Sequence, residues 1–291
     1  MIKIKIYFGK SVCAAVFFAV FFGYGAELLI AYGAVLFHEG AHLITCIVSG
    51  VRPIYIRVSI FGMNLVTEYC TDSDRQTAVY AAGPAASILA FLFFGVMSAI
   101  FDCAQVLFYA CTANFCIGLV NLLPVYPLDG ANILKIRLCK RFGLIRSDKI
   151  VRKISKAACI LLLCVSFSVF YSGYFNVSLI TTVIFLAYSL KREHLYFAYD
   201  IKQILCGKLK CRRILKRITA DGSKSLLEIA ELISPYYTLS VSVFSHGRFC
   251  GEFSQREIIV MTKKYGAYTT LKYCIEKREK MLYNKKTECR K

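Results

Sequence analysis

Long apolar segments separated by short polar connections dominate the first two thirds of the chain. Six of them stand out, and most approach the ~20 residues that a helix needs to cross a bilayer, although the last two are shorter. They comprise residues 6–22, 26–48, 77–100, 105–123, 157–171 and 175–190. The pattern predicts a polytopic α-helical membrane protein with about six transmembrane helices.

Lysine and arginine gather in alternate connections between these segments. They occupy the N-terminal tail, the connections after the second and fourth segments and the region after the sixth. The other connections, residues 23–25, 101–104 and 172–174, contain none. Because cytoplasmic loops retain an excess of Lys and Arg, this alternation predicts a multi-pass protein of the cell membrane with both termini in the cytoplasm.

The composition agrees with a membrane protein. Hydrophobic residues make up 57% of the 291 residues, against about 45–50% in an average soluble domain. The net charge is +19, which can indicate nucleic-acid binding. Since the positive-inside rule already accounts for the basic loops, we expect the lipid bilayer as a partner and no nucleic acid.

The pattern changes after about residue 200. We predict three regions: a transmembrane domain at 1–192, a basic juxtamembrane linker at 193–222, and a small cytoplasmic α/β domain with a basic tail at 223–291. In the last of these we predict a helix, two strands joined by a turn, and a second helix. Their residues are 223–233, 238–244, 249–253 and 254–264. Ser254 followed by Glu257 forms a capping box at the start of the second helix.

The connection between the second and third apolar segments has its own pattern. Residues 51–69 are rich in β-branched and aromatic residues around a central Gly-Met-Asn. This composition favours a β-hairpin, and an irregular cytoplasmic loop is the alternative.

Inside the second apolar segment stands the sequence His38-Glu39-Gly40-Ala41-His42, which reads H-E-x-x-H. On a helix the two histidines share one face, so both imidazoles can bind one metal ion. Glu39 lies next to them and can serve as a general base toward a water molecule. Because ionisable groups within a membrane are expensive, such a cluster indicates a functional site.

A catalytic zinc ordinarily has three protein ligands, so a third is required. The two remaining histidines, His194 and His246, are better explained as an interfacial residue and a solvated turn residue. Asp129 is the strongest candidate, because it lies at the inner end of the fourth segment, at the predicted depth of the histidine pair. Taken without that pair, Asp129 is equally well explained as a helix N-cap.

These two motifs together resemble those of the site-2 protease family of intramembrane zinc metalloproteases. The residues that carry the resemblance are His38, Glu39, His42, Asn121, Pro127, Asp129 and Gly130. A second match to that family's pattern comprises Gly83, Pro84, Ala85, Ala86 and Ser87. Six spans followed by a small α/β tail also resemble the sporulation branch of the family.

The resemblance implies a role for each motif residue. His38, His42 and Asp129 would bind Zn²⁺, and Glu39 would be the catalytic base. Asn121 and Pro127 would belong to the substrate-binding part of the site. For Asn121 an interhelical hydrogen bond is an equal alternative.

The C-terminal tail is similar to a single CBS motif. Such modules often bind adenine nucleotides, so the resemblance implies ATP as a second ligand at Ser254 and Glu257. A helix cap already explains both residues, and Glu replaces the Asp usual in that motif. Because CBS motifs usually work in pairs, a homo-oligomer would complete the module.

We therefore expect a zinc metalloendopeptidase that cleaves a membrane-associated precursor, with an inactive sporulation sigma-factor precursor as the first hypothesis. In that case the location would be the mother-cell membrane around the forespore, and inhibitory membrane partner proteins are left open. One alternative is a general site-2 protease acting on anti-sigma factors or signal-peptide remnants. Another is a non-enzymatic metal-binding transporter or adaptor, which would not need Glu39.

Overall fold

The computed structural model describes residues 5–8, 21, 23, 25–51, 53–59, 62–67, 72–101, 104–171, 181–191, 214–245 and 247–277. These residues divide into two compact units. The helical unit comprises Met1–Ile136 and Val151–His194, and the C-terminal unit comprises Arg137–Ile150 and Leu195–Lys291.

Three helices that pack against one another form the first part of the helical unit. They are α1 (Gly25–Ser49), α2 (Ser73–Ile100) and α3 (Ala104–Asn121). Asp72 caps the start of α2, because its side chain accepts hydrogen bonds from the backbone N–H groups of Asp74 and Arg75. The bounds of α1, α2 and α3 agree to within a few residues with the predicted segments 26–48, 77–100 and 105–123.

A three-stranded sheet accompanies these helices. It consists of β1 (Lys5–Phe8), β2 (Pro53–Ser59) and β3 (Gly62–Thr67), with β1 parallel and β3 antiparallel to β2. The predicted hairpin within residues 51–69 is confirmed. The prediction of a helical span starting at residue 6 is wrong at its beginning, because pairing with β2 places these backbone groups in a sheet. Residues 9–20 and residue 22 of that span lie outside the described residues.

Three further helices of the described residues follow the loop that succeeds α3. They are α4 (Asp129–Phe142), α5 (Leu144–Tyr171) and a short apolar helix, α6 (Thr181–Lys191). Helix α5 has 28 residues, so it is longer than the predicted segment 157–171, which recorded only its apolar part. Its first turns are rich in Lys and Arg, so they lack the continuous apolar run by which the segment was recognised.

Among the described residues, three helices are long and apolar enough to cross a membrane: α1, α2 and α5. Large apolar side chains on them stay exposed, for example Leu29 at 76%, Leu89 at 66% and Leu161 at 65%. Exposed apolar faces of this kind suit contact with lipid. The protein is thus a largely helical membrane-type protein, and the count of six spans and its orientation stay predictions.

The C-terminal unit contains a second three-stranded sheet with the order β4-β5-β6. Strand β4 (Leu215–Asp221) is parallel to β5 (Thr238–Ser245), and β5 is antiparallel to β6 (Arg248–Ser254). Short helix α7 (Leu226–Ala230) follows β4, and α8 (Gln255–Tyr265) follows β6. The predicted strands and second helix are confirmed, and of the predicted helix 223–233 the structure keeps the five residues of α7.

Strand β4 lies inside the segment that the sequence predicted as a linker, 193–222. The structure places it at the edge of the sheet, and most of its side chains are at least partly exposed. The half-buried Lys216 and the exposed Arg217 give the strand the polar character of a linker. Residues 192–213 lie outside the described residues.

Residues 137–150, the end of α4 and the beginning of α5, belong to the same unit as this sheet. The backbone N–H of Leu144 donates to the carbonyl of Ile233 at 2.9 Å. Glu231 accepts hydrogen bonds from Arg146 and Lys149 at 3.0 and 2.6 Å. Residues 137–150, which the sequence assigned to the transmembrane region, therefore pack within the C-terminal unit.

Candidate metal centre

Helix α1 places the two motif histidines on one buried face. His38 and His42 are 3% and 4% exposed, and their ring centroids lie 4.8 Å apart. Such burial among apolar side chains follows from their positions one helical turn apart on a helix that packs against α2. Glu39, between them in sequence, is half-buried.

The loop between α3 and α4 brings Asp129 to the same place. Tyr126 is buried, and its backbone N–H donates to Ser155 Oγ of α5 at 2.9 Å. Val125 packs against Cys159 and Leu186. These contacts fix the loop against α5 and α6 immediately before Asp129, the first residue of α4.

Gly130 is required by the tightness of this turn. A Cβ atom at this position would collide with the backbone of Leu122 and Leu123. No side chain can therefore replace the hydrogen of Gly130 without moving the loop that carries Asp129. This explains physically why glycine follows the aspartate.

The two histidines and the aspartate form a compact triangle of possible ligand atoms. His38 Nε2 and His42 Nε2 lie 3.2 and 3.1 Å from Asp129 Oδ2, and 3.2 Å from each other. Ligands of a tetrahedral zinc, with bonds of about 2.0–2.2 Å, lie roughly 3.3 Å apart. The observed triangle therefore fits a zinc-sized ion with only a small expansion.

Two groups of α2 orient the imidazoles within this triangle. His42 Nδ1 donates to the backbone carbonyl of Val79 at 2.6 Å, and His38 Nδ1 lies 2.9 Å from Ser87 Oγ. Because a carbonyl can only accept, His42 carries its proton on Nδ1 in the neutral form, and its Nε2 is free to bind a metal. Such support of a histidine ligand is usual in metal sites.

Space for an ion beside the histidines depends on Gly83. A Cβ atom at this position would lie 2.7 Å from His38 Nε2 and closer still to His42 Nε2. The absence of a side chain at residue 83 thus leaves space next to both nitrogens. Together with the nitrogen and oxygen donors, which zinc prefers, this room shows that the residues present fit the metal.

The predicted substrate-binding residues lie close to Asp129 in the chain. Asn121 is the last residue of α3, is half-buried, and donates from Nδ2 to the carbonyl of Ile117 at 2.9 Å. Pro127 is half-buried and follows Tyr126 through a cis peptide bond. Their contact with a substrate stays a prediction.

The two residues predicted to bind a nucleotide form the capping box of α8. Ser254 Oγ accepts from the backbone N–H of Glu257, and Glu257 Oε2 accepts from the Ser254 backbone N–H at 2.8 Å. The helix cap accounts for both side chains, as expected from the spacing of Ser254 and Glu257 in the sequence. ATP binding by this unit stays a prediction.

Comparison with known proteins agrees with this geometry. A model of peptidase family M50 matches residues 98–165, a segment that includes Asp129. The chain is 25% identical over 154 residues to zinc metalloprotease MJ0392 of Methanocaldococcus jannaschii, covering 51% of this chain and 43% of that protein. It is 30% identical over 129 residues to Rip3 of Mycobacterium tuberculosis, also named as a zinc metalloprotease, covering 41% and 32%.

The fold is similar to that of a solved site-2 protease from Methanocaldococcus jannaschii. The TM-score is 0.55 with 21% identity, over 66% of this chain and 92% of that one. These findings support the site-2 protease family, M50. The match to the M50 model and to two proteins named as zinc metalloproteases supports the prediction of a metalloprotease of this family, and the His-His-Asp group supports zinc. The chain spans less than half the length of the two relatives named above.

Sequence reasoning did not assign the roles of Val79, Gly83 and Ser87. It noted Gly83 and Ser87 only as part of a family-like pattern. A usable signal was present, because the three positions are four residues apart and so share one face of a helix. What the sequence does not reveal is that this face lies against the histidines of α1.

Proposed function

We propose that this protein is an intramembrane zinc metalloprotease that cleaves membrane-associated protein substrates. The observation that carries the proposal is the convergence of His38, His42 and Asp129 from two distant segments, beside Glu39, within a unit of apolar helices. Three nitrogen and oxygen ligands that leave a position for water are typical of catalytic rather than structural zinc.

Zinc held by these three side chains would supply Lewis-acid chemistry and lower the pKa of a bound water to about 7. Glu39 would accept the proton of the attacking water. Its carboxylate is next to His38 in the chain and is not one of the three proposed metal ligands. The same carboxyl group would then deliver this proton to the amine that leaves when the peptide bond breaks.

The substrate proposal follows from where the site lies. A peptide bond in a transmembrane helix is shielded by its own hydrogen bonds, so the substrate segment must unwind before attack. Asn121 and Pro127, near Asp129 in the chain, are proposed to contact the unwound backbone. A polar side chain of this kind can pair with backbone groups that lose their helical partners.

Among membrane-associated substrates we propose an inactive sigma-factor precursor. The support is the resemblance of the chain to the sporulation branch of the family, represented by stage IV sporulation protein FB, in which a small α/β tail follows the spans. The small sheet of the C-terminal unit is compatible with that arrangement. Inhibitory membrane partners and a homo-oligomer belong to the same proposal.

The test is co-expression of the full chain with candidate membrane-tethered precursors, followed by detection of the cleaved product. Glu39→Gln keeps the size of the side chain and removes the base, so we expect cleavage to fall by roughly 10²–10⁴-fold with zinc still bound. Glu27→Gln is the matched control, because it makes the same change on α1 about 18 Å along the helix.

Cleavage by Glu39→Gln at the wild-type rate would contradict the proteolytic mechanism. It would favour the metal-binding transporter or adaptor, which needs ligands but no base. Cleavage of anti-sigma factors or signal-peptide remnants, without processing of any sigma-factor precursor, would keep the enzyme class and overturn the sporulation substrate.

A further inference from the structure

One face of α2 contacts both metal-site imidazoles. This face consists of Val79, Gly83 and Ser87, which follow one another at intervals of four residues and are therefore aligned along the helix. Val79 offers its carbonyl to His42, Gly83 leaves space beside both Nε2 atoms, and Ser87 offers its hydroxyl to His38. Of the three, Ser87 alone acts through its side chain, so removal of its hydroxyl tests this contact directly.

The hydrogen bond of Ser87 differs from those of two other hydroxyl residues on apolar helices, Ser98 and Thr112. Ser98 Oγ donates to the carbonyl of Gly95 and Thr112 Oγ1 donates to that of Phe108, both at 2.8 Å and both within their own helix. That local bond is the usual way to satisfy a hydroxyl in a membrane helix. Ser87 Oγ on α2 instead forms a hydrogen bond with His38 Nδ1 on α1, at 2.9 Å.

Burial makes this bond specific. Ser87 is fully buried and His38 nearly so, and burying either polar group without a partner would cost free energy. Helix α3 presses against Ser87 at Gly118, where an added Cβ would lie 3.1 Å from Ser87 Cβ. The close approach of α3 therefore holds the serine in position against the histidine ring.

We propose that Ser87 is a positioning residue of the metal centre. Its Oγ accepts the Nδ1–H of His38, which fixes the tautomer and the rotation of the ring so that Nε2 faces Asp129 and the metal. The Val79 carbonyl has the same effect on His42. The inference rests on the proposed function only in requiring that the site bind a metal, and supporting contacts of this kind commonly change metal affinity 10–100-fold.

The experiment uses the full-length protein purified in detergent, with zinc affinity measured by chelator competition and the site geometry followed by the visible absorption of bound Co²⁺. Ser87→Ala removes the hydroxyl, and Ser87→Cys keeps its bulk with a much weaker hydrogen-bonding group. Ser98→Ala, which removes a hydroxyl from the same helix, is the control. We expect zinc affinity to fall about tenfold or more in both Ser87 variants, with an altered Co²⁺ spectrum.

The outcomes separate this inference from the proposed function. If the wild type binds zinc and Ser87→Ala binds it equally, with an unchanged Co²⁺ spectrum, Ser87 has no positioning role. If Ser87→Cys matches the wild type while Ser87→Ala does not, the serine acts by packing and the inference is wrong. A wild type that binds no zinc contradicts the proposed function and this inference with it.

Discussion

The helical unit and the C-terminal unit each contain a cluster of charged or ionisable side chains, and the two clusters differ in their surroundings. In the helical unit His38 and His42 are 3% and 4% exposed and converge on Asp129. In the C-terminal unit the side chains of Arg146 and Lys149 are 45% and 61% exposed and pair with Glu231. Both have ion-pair distances near 3 Å, yet they have different physical meanings.

Water accounts for the difference. Exposed pairs are screened by solvent, so they form easily and contribute about 0–1 kcal/mol. A buried ionisable group must be compensated by its neighbours, and within apolar helices few such neighbours exist. The buried cluster therefore indicates a function, whereas the exposed cluster is explained as an ordinary surface ion pair.

The largest effect should come from adding one methyl group beside the histidine pair. Gly83→Ala favours the helix by about 1 kcal/mol through intrinsic propensity, so it should not unfold α2. Its Cβ, however, would lie against both Nε2 atoms. We expect zinc affinity to fall by more than about 100-fold, beyond the usual effect of a lost supporting contact, in chelator competition.

Gly40→Ala is the matched control for this variant. Gly40 lies inside the histidine motif itself, and a Cβ there would meet nothing within 4 Å. Zinc affinity should therefore be unchanged. Equal zinc binding by Gly83→Ala and Gly40→Ala would show that the space at residue 83 is not where the metal binds.

In the C-terminal unit, the largest effect should come from the apolar core rather than from charges. Phe253 of β6 is fully buried, so Phe253→Ala should destabilise the sheet by about 3–5 kcal/mol. Hydrogen exchange of peptides from β5 and β6 in the full-length protein should accelerate by more than about 100-fold. Phe249→Ala, on the same strand but at a residue 61% exposed, should have little effect.

The exposed ion pairs should give the smallest effect. Hydrogen bonds from Lys149, and then from Arg146, hold the pKa of Glu231 below its usual value. A lowered pKa in the folded state means that the stabilisation is present above the unfolded pKa, near 4.3, and is lost as pH falls through the folded pKa. Glu231→Gln should cost at most about 1 kcal/mol at pH 7.

Thermal unfolding across pH 3–7 tests this expectation, because the variant should lose the acid-dependent part of the stability that Glu231 provides. High salt should reduce the difference between the two proteins. A loss of several kcal/mol that salt does not reduce would show that the exposed cluster resembles the buried one after all.

The sequence predicted the elements that have a strong hydrophobic signal. Helices α1, α2 and α3 follow from apolar length, and the capping box at Ser254 follows from its spacing to Glu257. Strand β4 was missed because it lies at a sheet edge and carries Lys216 and Arg217, so its pattern is that of a polar linker. Strand β1 was missed because its pairing with β2 spans about 50 residues of sequence.

The site divides in the same way. The convergence of His38, His42 and Asp129 was predictable because a zinc site requires those residue types, and the helix period places the histidines together. The role of Glu39 as a base stays a prediction. The roles of Gly83 and Ser87 were not predictable, since a glycine that leaves space and a serine that orients a ring have no signature of their own. Their meaning depends on which face of α2 meets α1, which only the packed structure gives.

Zinc content of three purified proteins tests the central account most directly. Asp129→Asn changes a carboxylate at the start of α4 to an amide, and Asp72→Asn makes the same change at the cap of α2, where Asn caps equally well. After dialysis against a mild chelator, we expect about one zinc per chain in the wild type and in Asp72→Asn, and far less in Asp129→Asn. Full zinc content in Asp129→Asn would contradict the account of the metal centre.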